Sequence, residues 1–299
     1  LLAQSQLAID YFQLRVLDAR KRLLDETVAA YQKSLELTRN RYNAGVAARV
    51  ELVQAEAQLK SAQAQAIDTG VQRAQMEHAI AILIGKPPAE FSLAAAALSV
   101  AVPVLPPGLP SELLERRPDI AAAERQMAAA NAQIGVAQAA YFPSLTLSGV
   151  FGFRANSPPS WLTSPSRLWS VGPALAETLF DGGSRRAVKK QAEAAYDANV
   201  ATYRQTVLNA FKEVEDNLSA LRILEEEAKT QEEAVKASKL STELTVNQYK
   251  AGTVNYLNVV TVQATQLSNE ATAVKLQGQR LVAAVTLVQA LGGGWSVPP

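Results

Sequence analysis

The chain of 299 residues contains no cysteine, so it can form neither disulfide bonds nor thiolate zinc sites, and it has no cysteine nucleophile. Its single histidine, His78, has no second ligand type at metal spacing. A solvated or packed helix position explains this histidine better than a metal or catalytic role. No Gly-rich phosphate loop is present either. Without a nucleophile and base, a metal set or a nucleotide loop, the sequence predicts a protein that is not an enzyme and holds no cofactor.

An excess of charge of either sign is also lacking. Lys and Arg number 29 against 28 Asp and Glu, which gives a net charge of +1. A nucleic-acid surface would show a clustered basic excess, so we expect no nucleic-acid partner. The sequence has no apolar run of about eighteen residues, which excludes a transmembrane helix, but a membrane strand needs only about ten alternating residues.

What the sequence does contain is an internal repeat. The stretch ELTRNRYNAGV at 36–46 returns as ELTVNQYKAGT at 243–253, an offset of 207 positions. The same offset, without a gap, aligns two further pairs of segments: LRVLD at 14–18 with LRILE at 221–225, and Ile84-Gly85 with Leu291-Gly292. We interpret this agreement as a duplicated unit.

The repeat predicts a truncated first copy. At this offset the counterpart of 118–183 would precede Leu1, so we expect the chain to begin partway through its first repeat. A signal peptide or a lipid-attachment cysteine would then lie outside this sequence.

The periodicity of each copy predicts a helical hairpin. Apolar residues of the first copy recur every 3.5 positions, as in a supercoiled helix, at Leu7, Leu14, Val28, Leu35 and Tyr42, with Leu17, Leu24 and Tyr31 interleaved. Lys21 breaks the series. A tip at 42–50 leads into a return helix that ends near Leu83. In the second copy a helix of about 67 residues from Ser184 precedes a tip at 249–257 and a return helix to Leu291.

Between the hairpins the period changes to that of a strand. In FPSLTLSGVFGFR one face carries the apolar residues Leu145, Leu147, Phe151 and Phe153, and the other face carries Ser144, Thr146, Ser148 and Gly152. LWSVGPALAETLFD alternates again, with Trp169, Val171, Leu175 and Leu179 on one face and a strand end predicted at the DGG motif. Glu177 interrupts that face, and Pro173 is awkward in a paired strand. Since a lone hairpin is marginal in water and an open edge is forbidden in lipid, these strands are predicted to close into a barrel with others.

Three segments carry a resemblance to a known family: LERRPDIAAAERQMAAANAQIGVAQAAYFPSLTLSG, LFDGGSRRA, and the paired tips RYNAGV and QYKAGT. They resemble the outer-membrane factor family of TolC and OprM, the exit ducts of tripartite efflux systems, and the block from RPDI to FPSL with DGG is typical of the OprM/NodT branch. The resemblance implies a mainly α fold with a small β part. Long coiled-coil helical hairpins form a tunnel through the periplasm. Each repeat also supplies two strands to a trimeric, twelve-stranded barrel in the outer membrane.

The same resemblance implies partners and a location. A homotrimer in the outer membrane of a Gram-negative bacterium, surrounded by lipid, would meet a periplasmic adaptor protein and an inner-membrane pump. Whether the full-length N-terminus is lipidated is left open. The strand faces then receive roles: Leu145, Leu147, Phe151 and Phe153 face lipid, and Ser144, Thr146 and Ser148 face the lumen.

The chain is thereby divided into six segments. They are a truncated first hairpin at 1–86, a linker at 87–111, a helix towards the barrel at 112–141, the strand hairpin at 142–181 with an extracellular loop at 155–167, the second hairpin at 182–292 and a tail at 293–299. Ser111 is a plausible N-cap, and Pro118 is expected to begin a helix. Within the RPDI motif, Arg116, Arg117 and Asp119 are expected to pair locally. DGG is expected to be a strand-to-helix turn, because it lacks the further acidic ligands of a calcium loop.

Candidate site residues lie at the two tips. Gly45 and Gly252 allow a turn at positive φ, and the resemblance implies that they and their neighbours contact the adaptor: Ala44, Val46, Ala251 and Thr253. Four residues are assigned to the periplasmic entrance: Glu51, Tyr249, Asn258 and Tyr42. Asn258 and Thr261 replace acidic residues common in the family, and Val254 stands where the TolC branch has its latch arginine.

The entrance residues keep alternative interpretations. Three copies of Glu51 near one axis would form a carboxylate ring that favours cations, but a solvated glutamate that stabilises a helix N-terminus explains the residue as well. Tyr249 could latch the entrance by a hydrogen bond between repeats or protomers. For either tyrosine the alternative is an aromatic residue at a coiled-coil core position, which the place of Tyr42 in the heptad series favours.

The function predicted from these features is that of a passive exit duct. It would carry small molecules from a periplasmic adaptor and pump, in an efflux or type I secretion-like system, and would be gated at the helical tips. The alternative is a periplasmic coiled-coil scaffold without transport activity. The two alternating strands and their loop argue against the scaffold, because a soluble rod has no use for them.

Overall fold

A computed structural model describes residues 1–98, 117–160 and 162–293. Its five α-helices are α1 (Leu2–Asn43), α2 (Arg49–Leu83), α3 (Pro118–Ala139), α4 (Ser184–Ala251) and α5 (Tyr256–Ala290). Two strands, β1 (Ser144–Phe153) and β2 (Arg167–Ala176), pair with each other, and short 3-10 turns occur at Pro88–Glu90, Pro158–Ser160 and Ser164–Ser166. The predicted N-cap Ser111, Arg116, most of the linker and nearly all of the tail lie outside the described residues.

The chain divides into two compact units. The first comprises Leu1–Arg117 and Ala210–Pro299, and the second is Pro118–Asn209. The long helix α4, with 68 residues, contributes to both. None of the described helices combines the length and the hydropathy that crossing a bilayer requires.

In the first unit, α1 packs on its predicted stripe. Leu14, Leu24, Tyr31 and Leu35 are buried, and the polar Thr38 continues the interleaved series seven positions after Tyr31. Tyr42, by contrast, is 38% exposed, so the core position favoured by its place in the heptad series is wrong for this chain. The stripe leaves the interface at this point because the helix ends one residue later, at Asn43.

The two helical hairpins have matching boundaries. Helices α2 and α5 each have 35 residues, and their first residues, Arg49 and Tyr256, differ by the same 207 positions as the sequence repeat. Both tips turn at a glycine with positive φ, 74° at Gly45 and 79° at Gly252. In each turn the glycine N–H and the next N–H bond back to carbonyls three and five residues earlier, the Schellman pattern that satisfies a helix end.

A buried polar cluster fixes the segment that follows α2. Asp18 accepts from Arg15 Nη1 at 2.8 Å and from Arg73 Nε at 2.7 Å, and the Asp18 side chain is only 2% exposed. Arg15 also donates to the carbonyl of Ala94 at 2.8 Å, and Asp18 accepts from the Ala96 N–H at 3.2 Å. Glu77 pairs with Arg73 and accepts from the Leu93 N–H. The extended chain around 93–96 is therefore held on the hairpin by charged side chains from both α1 and α2.

The start of α3 also differs in part from expectation. The helix begins at Pro118, as predicted. Arg117 is buried and reaches well beyond the RPDI motif, donating to Glu213 Oε2 at 2.8 Å and to the carbonyl of Ala290 at 2.9 Å. Its role is therefore not confined to local pairing, because it also satisfies a carbonyl at the end of α5.

The second unit contains the antiparallel strand pair. The register runs without a bulge from Ser144 opposite Ala176 to Phe153 opposite Arg167. The Arg154 N–H donates to the Ser166 carbonyl, so hydrogen-bonded pairs fall at even positions of β1 and Leu147 opposite Pro173 is a non-hydrogen-bonded pair. Pro173 is thus tolerated because its ring nitrogen faces away from β1.

The end of β2 corrects the sequence prediction. The strand stops at Ala176 rather than at DGG, so Glu177 and Leu179 lie beyond it and do not belong to its faces. Asp181 of DGG accepts hydrogen bonds from the N–H groups of Gly183 and Arg185 and pairs with the Arg185 guanidinium at 2.7 Å. These bonds cap the first turn of α4, which supports the prediction of a strand-to-helix turn.

Candidate functional site at the hairpin tips

The tips of the two hairpins meet around Tyr249, at the end of α4. Its side chain is 1% exposed and contacts Tyr256 edge to face, with ring centroids 5.5 Å apart. A hydrophobic cluster from α1, α2 and α5 surrounds the two rings: Tyr31, Leu35, Ala55, Leu59, Ala62 and Val259. The aromatic pair therefore joins the second hairpin to the first.

The Tyr249 hydroxyl lies between two polar groups of the first hairpin. It is 3.0 Å from Glu51 Oε2 and 3.3 Å from Thr38 Oγ1. Since Thr38 donates its own hydrogen to the Ser34 carbonyl, and the carboxylate is the stronger acceptor, the phenol hydrogen is best placed towards Glu51. Burial raises the pKa of Tyr249, and the adjacent Glu51 carboxylate raises it further, while the Thr38 contact acts in the opposite direction.

Arg41 adds a second connection between the hairpins. Its Nη1 donates to the carbonyl of Tyr249 at 2.7 Å and to that of Lys250 at 3.3 Å. The guanidinium carbon also lies 4.6 Å from the centroid of the Tyr249 ring. A cation on the last carbonyls of α4 is favourable because those groups have no partner within the helix.

A chain of polar side chains lies further along the same interface. The Tyr256 hydroxyl donates to Gln58 at 3.1 Å, Gln58 donates to Gln263 at 3.2 Å, and Gln263 donates to Ser34 at 3.0 Å. Burial, with smaller contributions from Tyr249 and Tyr31, raises the pKa of Tyr256, and burial also raises the pKa of Tyr31. The tip interface thus combines aromatic packing with buried hydrogen bonds.

The structure brings together only two of the four predicted entrance residues. Glu51 and Tyr249 are in direct contact, so Glu51 is not merely a solvated first-turn glutamate. Asn258 is exposed in the first turn of α5, and Tyr42 is exposed at the end of α1. His78 is exposed on α2. The six predicted tip residues are all exposed: Ala44, Gly45, Val46, Ala251, Gly252 and Thr253.

Sequence reasoning missed Thr38 and Arg41. Thr38 continues the stripe of Leu24 and Tyr31, and that spacing could have located it. The repeat aligns Arg41 with Gln248. This difference between two otherwise similar tips could have indicated a special role for Arg41. The bond from Arg41 crosses 208 positions of sequence, and no local pattern predicts its partner.

The strand pair forms a second candidate surface. One face is apolar with large, exposed side chains: Leu145, Leu147, Phe151, Trp169 and Leu175 are each between 69 and 76% exposed, and Phe153 is 43% exposed. On the other face the hydroxyls of Ser144, Thr146 and Ser148 donate across the pair to the carbonyls of Ala176, Ala174 and Gly172. The alternation predicted for β1 is therefore present.

Long helical hairpins joined to a strand pair with one apolar and one polar face are features of outer-membrane channel proteins. The family model for outer membrane efflux proteins matches residues 1–86 and 109–293. The chain belongs to this family, and it is accordingly an outer-membrane protein.

Two curated relatives illustrate the similarity. The chain is 35% identical over 278 residues to the outer membrane protein OprJ of Pseudomonas aeruginosa, with 92% of this chain and 58% of OprJ covered. It is 34% identical over 291 residues to SrpC of Pseudomonas putida, a solvent efflux pump outer membrane protein, with 97% of this chain and 62% of SrpC covered. The chain spans about three-fifths of the length of these relatives.

Solved structures of channels have the same fold. The outer-membrane channel OprN superposes with a TM-score of 0.89 at 34% identity, covering 98% of this chain and 66% of OprN. VceC of Vibrio cholerae has a TM-score of 0.84 at 29% identity, covering 99% of this chain and 71% of VceC. MtrE of Neisseria gonorrhoeae, in its open state, has a TM-score of 0.75 at the same 29% identity, covering 98% of this chain and 68% of MtrE.

Proposed function

We propose that the complete protein is a passive exit duct of a tripartite efflux system. It forms a homotrimer whose strands close a twelve-stranded barrel in the outer membrane and whose hairpins continue as a tunnel into the periplasm. The observation that carries this proposal is the strand pair, which has large apolar side chains on one face and small polar side chains on the other, in a chain of the outer membrane efflux family. Leu145, Leu147, Phe151 and Phe153 face lipid, and Ser144, Thr146 and Ser148 face the lumen.

Transport through this duct needs no catalysis by the chain itself. Its cargo, small molecules delivered by an inner-membrane pump through a periplasmic adaptor, crosses the lumen by diffusion, and the energy comes from the pump. The family membership supports a role as a duct rather than as an enzyme. No cofactor enters this mechanism.

The matched hairpins support a duplicated unit. Their tips have the same turn geometry at the repeat offset, so a trimer presents six similar tips to the adaptor. The adaptor contacts Ala44, Gly45 and Val46 on one tip and Ala251, Gly252 and Thr253 on the other. The exposure of all six residues supports this contact.

The entrance opens when the second hairpin moves away from the first at the tips. This motion breaks the hydrogen bond from Tyr249 to Glu51 and the bonds from Arg41 to the end of α4. A hydrogen bond to a charged group contributes about 1.5–3 kcal/mol, so these contacts hold the closed state until the adaptor stabilises the open one.

Single-channel conductance of the full-length protein in planar bilayers tests the proposal. Wild-type trimers are expected to give stable pores that are mostly closed. Tyr249→Phe removes only the hydroxyl and is expected to raise the ratio of open to closed states about tenfold, because one hydrogen bond to a carboxylate is lost. Glu51→Gln, which removes the acceptor charge, is expected to raise conductance as well and to lower cation preference.

The matched control is Tyr42→Phe, which removes a hydroxyl from the exposed tyrosine beside the other tip. It is expected to conduct as the wild type does. Correctly assembled trimers without any pore would overturn the duct and favour the coiled-coil scaffold. Pores that respond equally to Tyr249→Phe and Tyr42→Phe would retain the duct and refute this gate.

A further inference from the structure

A basic cluster lies beside the strand pair, at the start of α4. Arg186, Lys189 and Lys190 line one open cleft of about 610 Å³ together with Gln138, Tyr141, Phe142 and Glu193. Three positive charges against one negative charge give the cleft a local excess of two, in a chain whose net charge is only +1. Such an excess favours an anionic partner.

The arrangement of these charges differs from that of Lys229 and Lys236, further along α4. Lys229 and Lys236 each pair with a glutamate one turn earlier, as is usual on a solvated helix face. One turn before Lys190 stands Arg186, a like charge that repels it. Within the part of the chain that the structure describes, neither Arg186 nor Lys190 makes an ion pair. An anion bound between them would remove the repulsion.

Arg185, next to the cluster, has a different role. Its guanidinium pairs with Asp181, donates to the carbonyls of Thr178 and Ala140, and lies 5.4 Å from the Tyr141 ring centroid. These bonds tie the end of the strand segment to the end of α3. They leave Arg186, Lys189 and Lys190 as the charges that face the cleft, with Lys189 3.5 Å from Glu193.

Large apolar side chains adjoin the charges. Phe142, which lines the cleft, is 72% exposed, and Leu179 and Phe180, between β2 and α4, are each 89% exposed. The apolar strand face begins three residues after Phe142, with Leu145 opposite Leu175. Cationic and aromatic side chains at the end of an apolar band are typical of the level of lipid headgroups.

We propose that Arg186, Lys189 and Lys190 bind the phosphate of an anionic phospholipid, of the phosphatidylglycerol type, in the periplasmic leaflet of the outer membrane. Arg186 and Lys190 bind the phosphate oxygens, for which guanidinium and ammonium groups are suited. Phe142 contacts the beginning of an acyl chain. The inference rests on the proposed function, which puts the helix-bearing end of the strand pair at the periplasmic face of the membrane.

Lipid binding to the full-length protein in a neutral detergent tests this site. Native mass spectrometry would follow titration with dioctanoyl phosphatidylglycerol, and separately with dioctanoyl phosphatidylcholine. The variant Arg186→Gln/Lys190→Gln is expected to bind phosphatidylglycerol about twentyfold more weakly, because each basic residue near a lipid surface contributes about fivefold to the affinity. The control Lys229→Gln/Lys236→Gln removes two positive charges from exposed positions of the same helix and is expected to bind as the wild type does.

Four outcomes would overturn the inference: equal affinity of wild type and cleft variant, an equal loss in the control, equal affinity for the two lipids, or displacement by inorganic phosphate at lipid-like concentrations. The last would indicate a site for free anions instead of lipid. The same spectra report whether trimers form, and planar bilayers of phosphatidylcholine report conduction. Conducting trimers without preference for the anionic lipid refute this site alone, whereas trimers that never conduct refute the proposed duct.

Discussion

At the scale of single residues, Asp18 is constrained by several partners at once. Its carboxylate is bonded by two arginines and by a backbone N–H, and the side chains of Asp18 and Arg15 are only 2% and 7% exposed. Removal of one member of a buried group of charges lowers the stability of the fold far more than removal of an exposed ion pair does, because the remaining charges stay buried without a counterion.

We expect Asp18→Ala to lower the free energy of unfolding by about 3–5 kcal/mol, because Arg15 and Arg73 lose their shared counterion. Guanidinium unfolding of the full-length protein, followed by the helical circular dichroism signal, measures this loss. Asp25→Ala is the matched control, since Asp25 pairs with Lys21 on the exposed face of the same helix. That change is expected to be within about 1 kcal/mol of wild type, and equal losses would contradict the buried role of Asp18.

Gly278 shows the opposite constraint, a position where even one carbon does not fit. A Cβ added there would clash with the side chain of Val16. Helix α5 can therefore pack closely on α1 because Gly278 has no side chain. This glycine has no positive φ. Its reason is close packing of two helices, which the sequence repeat does not predict because Gly278 corresponds to Val71 of the first copy.

At the scale of elements, the strand pair is defined by its two faces. The side chains of β1 alternate without interruption, and the register places Leu147 opposite Pro173 and Thr146 opposite Ala174. Neighbouring residues of one strand therefore point in opposite directions, which allows the two faces to be tested one residue apart.

We expect Leu147→Arg to destabilise the membrane-inserted protein by about 2–4 kcal/mol, because a charge on the lipid face near the bilayer midplane is poorly solvated. Thr146→Arg, the matched control, places the same side chain on the lumen face and is expected to have little effect. Folding of full-length trimers into lipid vesicles, titrated with urea, measures the difference. Equal tolerance of arginine at the two positions would defeat the proposed orientation.

The tip interface is expected to respond to alkaline pH. Burial raises the pKa of Tyr31, Tyr249 and Tyr256 above the ordinary tyrosine value of about 10. Below that value the tyrosines are neutral whether the tips are packed or separated, so the packed state keeps its full stability. Above it, solvated tyrosines ionise while packed ones stay neutral, and stability is lost progressively as the pH rises towards the folded pKa values.

Full-length channels should therefore open more often as the pH rises from about 9 to 11. Single-channel recording at a series of pH values measures this change. Tyr256→Phe, which lacks one titrating hydroxyl, is expected to show a weaker rise than Tyr42→Phe, which alters an exposed tyrosine. A wild-type profile without any rise would show that ionisation of these tyrosines does not control the tips.

At the scale of the whole molecule, the number of strands limits what this chain can assemble. The two strands of the described residues would give six in the proposed trimer, fewer than the eight of the smallest common membrane barrels. A second strand hairpin per subunit, as the repeat predicts, brings the trimer to twelve.

We therefore expect residues 1–299, produced alone, to give no stable pores in planar bilayers, whereas the full-length protein does. Addition of a second copy of 142–181 through a flexible linker tests whether strand number is the limit, and the control is a linker of equal length without strands. Stable pores of native conductance from residues 1–299 alone would contradict the strand count.

Local patterns in the sequence predicted the helices, the strand faces, the tip turns and the family, because each of these depends on a short window of residues. The 3.5-residue period located α1, strict alternation located β1, and Gly45 and Gly252 located the turns at positive φ. The weakest predictions concerned ends of elements, such as the end of β2 at Ala176, where alternation continues into residues that no longer pair.

Contacts between distant side chains, by contrast, are visible only in the folded chain. Arg41 and Thr38 contact Tyr249, Arg117 reaches Glu213 and Ala290, and Asp18 accepts from Ala96, all across long stretches of sequence. The rotation and register of packed helices set these contacts. The sequence periodicity around a residue on a helix face is the same whether or not a partner lies opposite, so it does not predict the contact. The periodicity of the chain therefore specifies the interfaces, while the packing of the helices selects the few residues that join them.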